Sequence, residues 1–214
     1  MAIESEIKFT VVDAGIFDRI AALHEIASCA VADRGVHSHR DTYFDTDNLL
    51  LLRSKIVFRL REKATGAVLS FKAQAPGGGD FYRRMEAESP ADVTIADIES
   101  GRLPDLPPVQ ELRKRAGKVR LAPALAVDNR RRIIILSRGG VPRFELALDE
   151  VTFTGPRGSA DVRELEVESL GWEDEGLTEV GEWLAARFAL APAGPSKYIL
   201  GMELVGRRAR EDTG

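Results

Sequence analysis

The feature that most constrains this chain is an alternation of period two that returns on segment after segment. At the start, Glu4, Glu6 and Lys8 alternate with Ile3, Ser5, Ile7 and Phe9. In a strand, such alternation gives one largely apolar face and one face carrying carboxylates and an ammonium. Arg59, Arg61 and Lys63 alternate with Phe58 and Leu60; Ser70, Lys72 and Gln74 stand opposite Leu69 and Phe71; Arg84, Glu86 and Glu88 stand opposite Met85 and Ala87. Glu145 and Asp149 oppose Phe144, Leu146 and Leu148, and Glu164, Glu166 and Glu168 oppose Leu165 and Val167. In "NRRRIIIL" (129–136), Arg130 and Arg132 share a face.

Strands are predicted over 2–12, 36–46, 55–64, 67–75, 80–89, 119–127, 130–138, 141–153 and 161–169. The turn signals "ATG", "PGGGD", "SRGG" and "GPRGS" separate several of them. Hairpins joined by turns this short are antiparallel. Helical spacing is found over 14–30, with Asp13 as its cap, and over 93–100, 107–117, 174–190 and 195–204, the last capped near Pro195 or Ser196. Residues 1–204 read as one domain and 205–214 as a flexible tail or linker.

The polar face of a half-buried antiparallel sheet is usually solvated surface, and one alternating segment would imply nothing more. Here acids are grouped with acids on some strands and arginines with arginines on others. Like charges two apart on one face repel and bring no stability. They make sense if they serve different ligands: carboxylate clusters suit hard divalent cations, and Arg and Lys clusters suit phosphate oxygens. About eight antiparallel strands can close into a barrel. If the amphipathic helices cover the outside, the charged rows line the lumen. The expected fold is therefore α+β, mainly antiparallel: an eight-stranded closed β-barrel, a tunnel with a charged lumen and helices packed outside.

Net charge is −4, from 30 Lys and Arg against 34 Asp and Glu, so overall charge makes no case for nucleic acid. The single cysteine, Cys29, can form no internal disulfide and reads as a structural residue on the first helix. No apolar run approaches the roughly 18 residues of a membrane span, and the acidic start has no signal-peptide pattern. A cytoplasmic protein is expected. His37 and His39 alternate, but no third soft ligand stands near them, so they read as barrel-rim residues. Trp172 and Trp183 read as packing around the last long helix, and Tyr43 is given no role.

In their order along the chain these segments resemble the CYTH domains, the triphosphate tunnel metalloenzymes. "ESEIKF" (4–9) is similar to the family's ExExK signature, "YFDTDNLLLLRSKIVFRLREK" (43–63) to its YFDT pattern and RxR strand, and "LSFK" to its lysine-bearing strand. "RRMEAE", "NRRR", "FELALDEV", "ELEVES" and "PSKYILG" follow as its later acidic, basic and Ser-Lys segments, with closest likeness to the bacterial inorganic triphosphatase branch. Many proteins of that branch continue into a CHAD domain, a possible C-terminal neighbour in a longer parent chain.

The resemblance implies Glu4, Glu6, Glu166 and Glu168 as metal ligands for Mg²⁺ or Mn²⁺. Glu86, Glu88 and Asp149 would hold a second cation or orient the attacking water. Lys8, Arg59, Arg61, Lys72, Arg130, Arg132 and Lys197 would bind phosphate, Lys8 also serving catalysis. Register alone selects Arg130 and Arg132 over Arg131, and Glu164 is a third acid where two would suffice. The implied activity is metal-dependent hydrolysis of inorganic triphosphate to pyrophosphate and phosphate. Thiamine triphosphatase, nucleoside triphosphatase and class IV-type adenylate cyclase are the alternatives within the family, and a non-catalytic polyphosphate-binding module is the alternative outside enzymes. Aromatic residues at 7% favour a naked polyphosphate over a nucleotide, and the carboxylates argue against a pure anion binder.

Overall fold

The alternating segments pair as one antiparallel sheet. The computed structural model describes residues 2–74, 82–171, 176–194 and 196–206. The elements run β1 (Ala2–Thr10), α1 (Gly15–Ala21), β2 (Glu25–Ile26), β3 (Cys29–Asp45), α2 (Leu50–Arg53), β4 (Ile56–Lys63), β5 (Gly66–Gln74) and β6 (Tyr82–Pro90). Then come α3 (Ile95–Glu99), α4 (Pro107–Ala116), β7 (Ala122–Arg138), β8 (Val141–Gly155), β9 (Gly158–Ser169), α5 (Leu177–Phe188), β10 (Ala191–Pro192) and α6 (Lys197–Leu204). The "PGGGD" loop, Trp172, Pro195 and residues 207–214 of the expected tail lie outside the described residues.

Strand order is β10-β1-β6-β5-β4-β3-β7-β8-β9, with β2 on β3 and a further pairing of β1 with β9. The expected eight-stranded closed barrel is corrected to a ten-stranded sheet. The two-residue strands β2 and β10 add to the count. The two ends of the sheet do not join along a whole strand: β1 pairs β6 through Ala2–Glu6 and β9 through Glu6–Thr10, sharing only Glu6. Directly opposed residues point to the same face, so Lys8↔Glu166, Asp149↔Glu164, Arg131↔Asp149, Asp41↔Arg61 and Lys72↔Glu86 carry the charged rows on one inner face.

The opposite face is apolar and takes the helices. Phe9, Leu146, Leu165 and Val167 form one cluster with Ile16 and Ile20 of α1 and Val180 and Leu184 of α5. Phe58, Leu60, Leu69 and Phe71 form a second with Ile98 of α3 and Val109 and Leu112 of α4. Each such side chain, fully buried, contributes about 1.5–3 kcal/mol. Both short helices start on local signals: Thr94 and Asp97 form a reciprocal capping box for α3, and α4 opens with proline at its first positions.

The helix expected over 14–30 is cut to its first half. The N-cap position is Ala14 and not the expected Asp13, whose carboxylate accepts the Gly15 amide at 2.9 Å from one residue further back, and α1 ends at Ala21. The chain then turns into a hairpin in which Ile26 pairs Cys29 across Ala27 (φ 46°) and Ser28 (φ 61°). A two-residue hairpin turn with both residues left-handed matches the twist of its strands. Cys29 is therefore on β3, buried, and not on a helix. Likewise, the strands expected at 119–127 and 130–138 are one strand, β7.

A second correction concerns α6, which does not pack outside. Tyr198, Met202 and Val205 bury against Tyr43, Leu125, Val127, Val151 and Phe153, the apolar end of the inner face. The Ser196 hydroxyl accepts the Ile199 amide at its start. Arg157, in the β8–β9 turn, donates to the carbonyls of Met202, Glu203 and Gly206 at its end. Gly201 makes the close approach possible: a methyl group there would fall on Leu125 Cδ2 and lie 2.6 Å from Phe153 Cδ1. Gly201→Ala is expected to cost about 1–3 kcal/mol through overpacking, read as a lower urea midpoint at unchanged m-value.

Candidate functional site

The inner face and α6 enclose a polar cavity of about 170 Å³. Its end wall is built by Tyr198 of α6 with Tyr43 of β3. Tyr43 stacks on Tyr198 of α6, ring centroids 5.2 Å apart and planes at 6°. The Tyr198 hydroxyl donates to Asp45 Oδ2 at 2.6 Å, and the same carboxylate accepts the amides of Thr46, Leu51 and Leu52, which caps α2. Asp45 thus ties the strand end to α2 and α6.

Around the cavity stand Lys8 (β1), Arg59 and Arg61 (β4), Lys72 (β5), Arg131 (β7) and Lys197 (α6). Each is held by an acid. Arg61 grips Asp41 through Nε and Nη2 at 2.7 and 2.8 Å, and Arg59 donates to Asp41 at 3.2 Å and to Glu88 at 3.1 Å. Ser70 donates to Glu88 at 2.6 Å, and Lys72 pairs Glu86 at 3.0 Å. Arg131 forks onto Asp149 with two bonds of 2.7 Å and reaches Glu166 Oε2 at 2.6 Å. Lys197 Nζ touches Asp149 at 2.8 Å, Glu164 at 2.8 Å and Glu166 at 2.5 Å, and Lys8 Nζ reaches Glu166 at 2.7 Å and Glu6 at 3.3 Å.

These contacts set the ionisation states. Burial alone would raise the carboxyl pKa values of Asp41, Asp149 and Glu166. The guanidiniums of Arg59 and Arg61 hold Asp41 well below the carboxylate range, and Arg131 with Lys197 brings Asp149 down to about 2. Lys197, Lys8 and Arg131 hold Glu166 well below its usual value. Burial would lower Lys197, but Asp149, Glu166 and Glu164 push it well up. All these groups are therefore charged near neutrality. His39 is the exception: burial, then the field of Arg61, pushes it down to about 3 and keeps it neutral.

Of the residues singled out in the sequence, Glu6, Lys8, Arg59, Arg61, Lys72, Glu86, Glu88, Glu166, Glu168 and Lys197 line this cavity. Glu4 pairs through its backbone with Arg84, and its side chain lies outside the described residues. Arg130 and Arg132 are corrected: they point to the other face, Arg130 to Glu150 at 2.6 Å and Arg132 to Asp33 at 2.6 Å. Arg131 takes the inner position, because His37↔Arg131 and Arg131↔Asp149 set the phase of β7. Asp149 is wholly buried behind Arg131 and Lys197 and positions those cations instead of facing the cavity space. Asp41 escaped the sequence reading, although its place two before Tyr43 put it on the inner face.

Asp149, Glu164 and Glu166 bring carboxylate oxygens within 4.8 Å of one another, a spacing at which a cation could bind. Lys197 Nζ already touches all three, so this trio serves the ammonium. Glu6 and Glu168 face each other across β1 and β9 beside the cavity, with Lys8 Nζ 3.3 Å from Glu6 Oε1.

Fold and site together define a class: an antiparallel sheet protein whose inner face forms a cavity lined by cations paired with carboxylates. The chain belongs to the CYTH domain family, whose model matches residues 2–195. No functionally curated protein matches the sequence. Among solved structures, one from Hippeastrum, a candidate adenylyl cyclase with a dominant triphosphatase activity, superposes with TM-score 0.70 at 18% identity, covering 97% of this chain and 99% of its own. A candidate adenylate cyclase from Bacillus halodurans gives 0.67 at 21%, covering 94% and 98%. A Pyrococcus horikoshii protein gives 0.56 at 22%, covering 95% and 99%. At these identities the likeness carries the fold. Among the described residues no helix is long and apolar enough to cross a membrane.

Proposed function

We propose that the protein hydrolyses inorganic triphosphate to pyrophosphate and phosphate with a divalent metal, in the cytoplasm. The observation that carries the reading is the convergence of Lys8, Arg59, Arg61, Lys72, Arg131 and Lys197 on one cavity whose margin is carboxylate. Cations so placed match the oxygens of a linear polyphosphate and neutralise charge on the transferring phosphoryl group. The triphosphatase activity of the Hippeastrum protein supports the same direction.

In this reading Lys8, Arg131 and Lys197 hold the pyrophosphate portion, and Arg59, Arg61 and Lys72 hold the phosphoryl group under attack. Glu86 and Glu88 orient a water on that phosphorus. An oxygen–phosphorus bond forms, the anhydride bond breaks, and the electron pair leaves with pyrophosphate. Mg²⁺ or Mn²⁺, held by Glu6 and Glu168 with Glu4 nearby in sequence, would supply Lewis-acid polarisation of phosphate oxygens when bound. Asp41 and Asp149 are positioning residues that fix the guanidiniums.

Phosphate release from triphosphate, thiamine triphosphate and ATP, with and without metal, tests the reading. Metal-dependent release fastest from triphosphate is expected; equal or faster release from ATP would favour a nucleotide enzyme, and no release from any would leave a binding module. Glu6→Gln and Glu168→Gln should each lower metal-dependent turnover by about a hundredfold or more, with a melting temperature close to that of the parent. Wild-type turnover in either variant at saturating Mg²⁺ would remove that residue from the metal set.

A further inference from the structure

We infer that a basic shoulder formed by α2, the end of α4 and the segment leading into β7 docks the protein on an anionic lipid surface. The shoulder lies outside the sheet, away from the cavity, and its role does not depend on the triphosphate reading. From Leu112 to Val127 the chain carries five cations and no acid, and from Leu50 to Ile56 two cations and no acid. The fold brings these two stretches together. Leu51 and Ile56 share an apolar cluster with Leu112 and Leu121, and Ala122 pairs Asp45, whose carboxylate caps α2. Arg53, Lys55, Arg113, Lys114, Lys118 and Arg120 are all exposed there.

Elsewhere the surface arginines are neutralised one by one: Arg19, Arg40, Arg130, Arg132 and Arg138 each meet an acid at 2.6–3.1 Å. On the shoulder, among the described residues, Arg53, Lys55, Lys118 and Arg120 meet none, and Lys114 and Arg115 share Glu111 at 3.8 and 3.6 Å. The dipole of α4 accounts for Arg113, Lys114 and Arg115 in its last turn. It does not account for Lys118 and Arg120, beyond its cap Gly117, or for Arg53 and Lys55 on another element. Lys55 even occupies left-handed backbone (φ 55°), where glycine or asparagine is usual. Like charges gathered without acids repel, so their use lies in an external anion.

The kind of anion follows from what surrounds them. An acidic protein segment gains little from exposed cations, because both side chains of each pair must be held still. Unpaired bases need aromatic faces to stack on, and neither basic stretch contains an aromatic residue. A fluid lipid surface needs no matching geometry, since its headgroups move to where the cations stand. Its field reaches only about a Debye length, some 8–10 Å, so the acids elsewhere on this net-negative chain do not oppose it. The large apolar side chains that stand exposed among the described residues, such as Val36 and Leu170, lie off the shoulder, so contact is electrostatic and not by insertion.

Co-sedimentation at about 0.1 M salt tests this, with vesicles of phosphatidylcholine alone and of phosphatidylcholine with about 30% phosphatidylserine. The parent protein should partition onto the anionic vesicles about tenfold or more above the neutral ones, and salt of about 0.5 M should remove the difference. Two triple variants carry the same change of charge. Lys55→Ala, Lys118→Ala and Arg120→Ala together should lose the partitioning. Arg34→Ala, Lys63→Ala and Arg187→Ala together, exposed cations from β3, β4 and α5, should keep it within about twofold. Both should melt close to the parent and release phosphate from triphosphate at its rate, because none of the six residues lines the cavity. No preference for anionic vesicles overturns the inference. So does an equal loss in both triple variants, which would report net charge alone. Tighter binding of a DNA duplex than of the anionic vesicles, lost in the first triple variant only, would overturn it in favour of a nucleic-acid partner. None of these outcomes bears on hydrolysis in the cavity.

Discussion

Arg131→Ala should lower triphosphate hydrolysis by about 10²–10³-fold, while Arg130→Ala and Arg132→Ala stay within about twofold of the parent. The three arginines are consecutive, so the comparison isolates the direction of each side chain from local sequence. Arg131 reaches into the cavity with a fork held by Asp149, whereas Arg130 and Arg132 make exposed pairs with Glu150 and Asp33. Exposed pairs are worth about 1 kcal/mol or less. Removing Arg131 leaves Asp149, fully buried, with Lys197 as its remaining cation, and should cost about 3 kcal/mol of stability as well. Arg131→Lys separates the two effects: the charge is kept, the fork is lost, and stability should recover more than turnover does. Equal loss of activity in all three alanine variants would place the inner face of β7 elsewhere.

The second expectation is a two-stage loss of stability with acid. His39 faces Asp41 on its own strand, Arg59 and Arg61 on β4, and Arg131 on β7, with Asn129 Nδ2 at 3.4 Å from its Nε2. Its pKa is pushed down to about 3 in the fold, against about 6.5 unfolded. Between these values the unfolded chain binds more protons, so the contribution is complete above about pH 6.5 and is lost as pH falls toward 3. At full extent it is on the order of 4 kcal/mol. Asp149, depressed to about 2, and Asp41 and Glu166, also depressed, are complete above about pH 4 and lost below it. Denaturant unfolding at pH 7.5, 5 and 3.5 should show both stages. His39→Asn should flatten the first and leave the second; an unchanged slope between pH 6.5 and 4 would show that His39 does not supply it.

Much of the site was legible because the period-two alternation is a direct record of which side chains share a face. Glu6, Lys8, Arg59, Arg61, Lys72, Glu86, Glu166 and Glu168 reach the cavity for that reason. Alternation cannot choose a phase where a residue type repeats without a break, and Arg130, Arg131 and Arg132 are such a run. Their phase comes from pairing with β3, which carries a register shift between Asp33 and Val36. The hairpin at Ala27–Ser28 was hidden because it adopts left-handed backbone without the glycine or asparagine that normally marks it. The place of α6 was hidden for a different reason. Its apolar residues would suit an outer groove equally well, and only the small Gly201 opposite Leu125 and Phe153 admits it to the inner face.

Because the end wall of the cavity comes from α6, the order of synthesis bears on when the site can exist. Glu166 leaves the ribosome 31 residues before Lys197, its partner. At ordinary elongation rates that interval lasts roughly 2–6 s. During it, the strands that carry Asp149, Glu164 and Glu166 have been made, while the ammonium that all three share has not. Early pairing of those strands would crowd acids together with too little countercharge, a penalty that delays their consolidation until the last helix is available. A chain cut short before Lys197 would keep that imbalance and expose Leu125, Val127 and Phe153, so incomplete products should be open to proteolysis while finished ones are not.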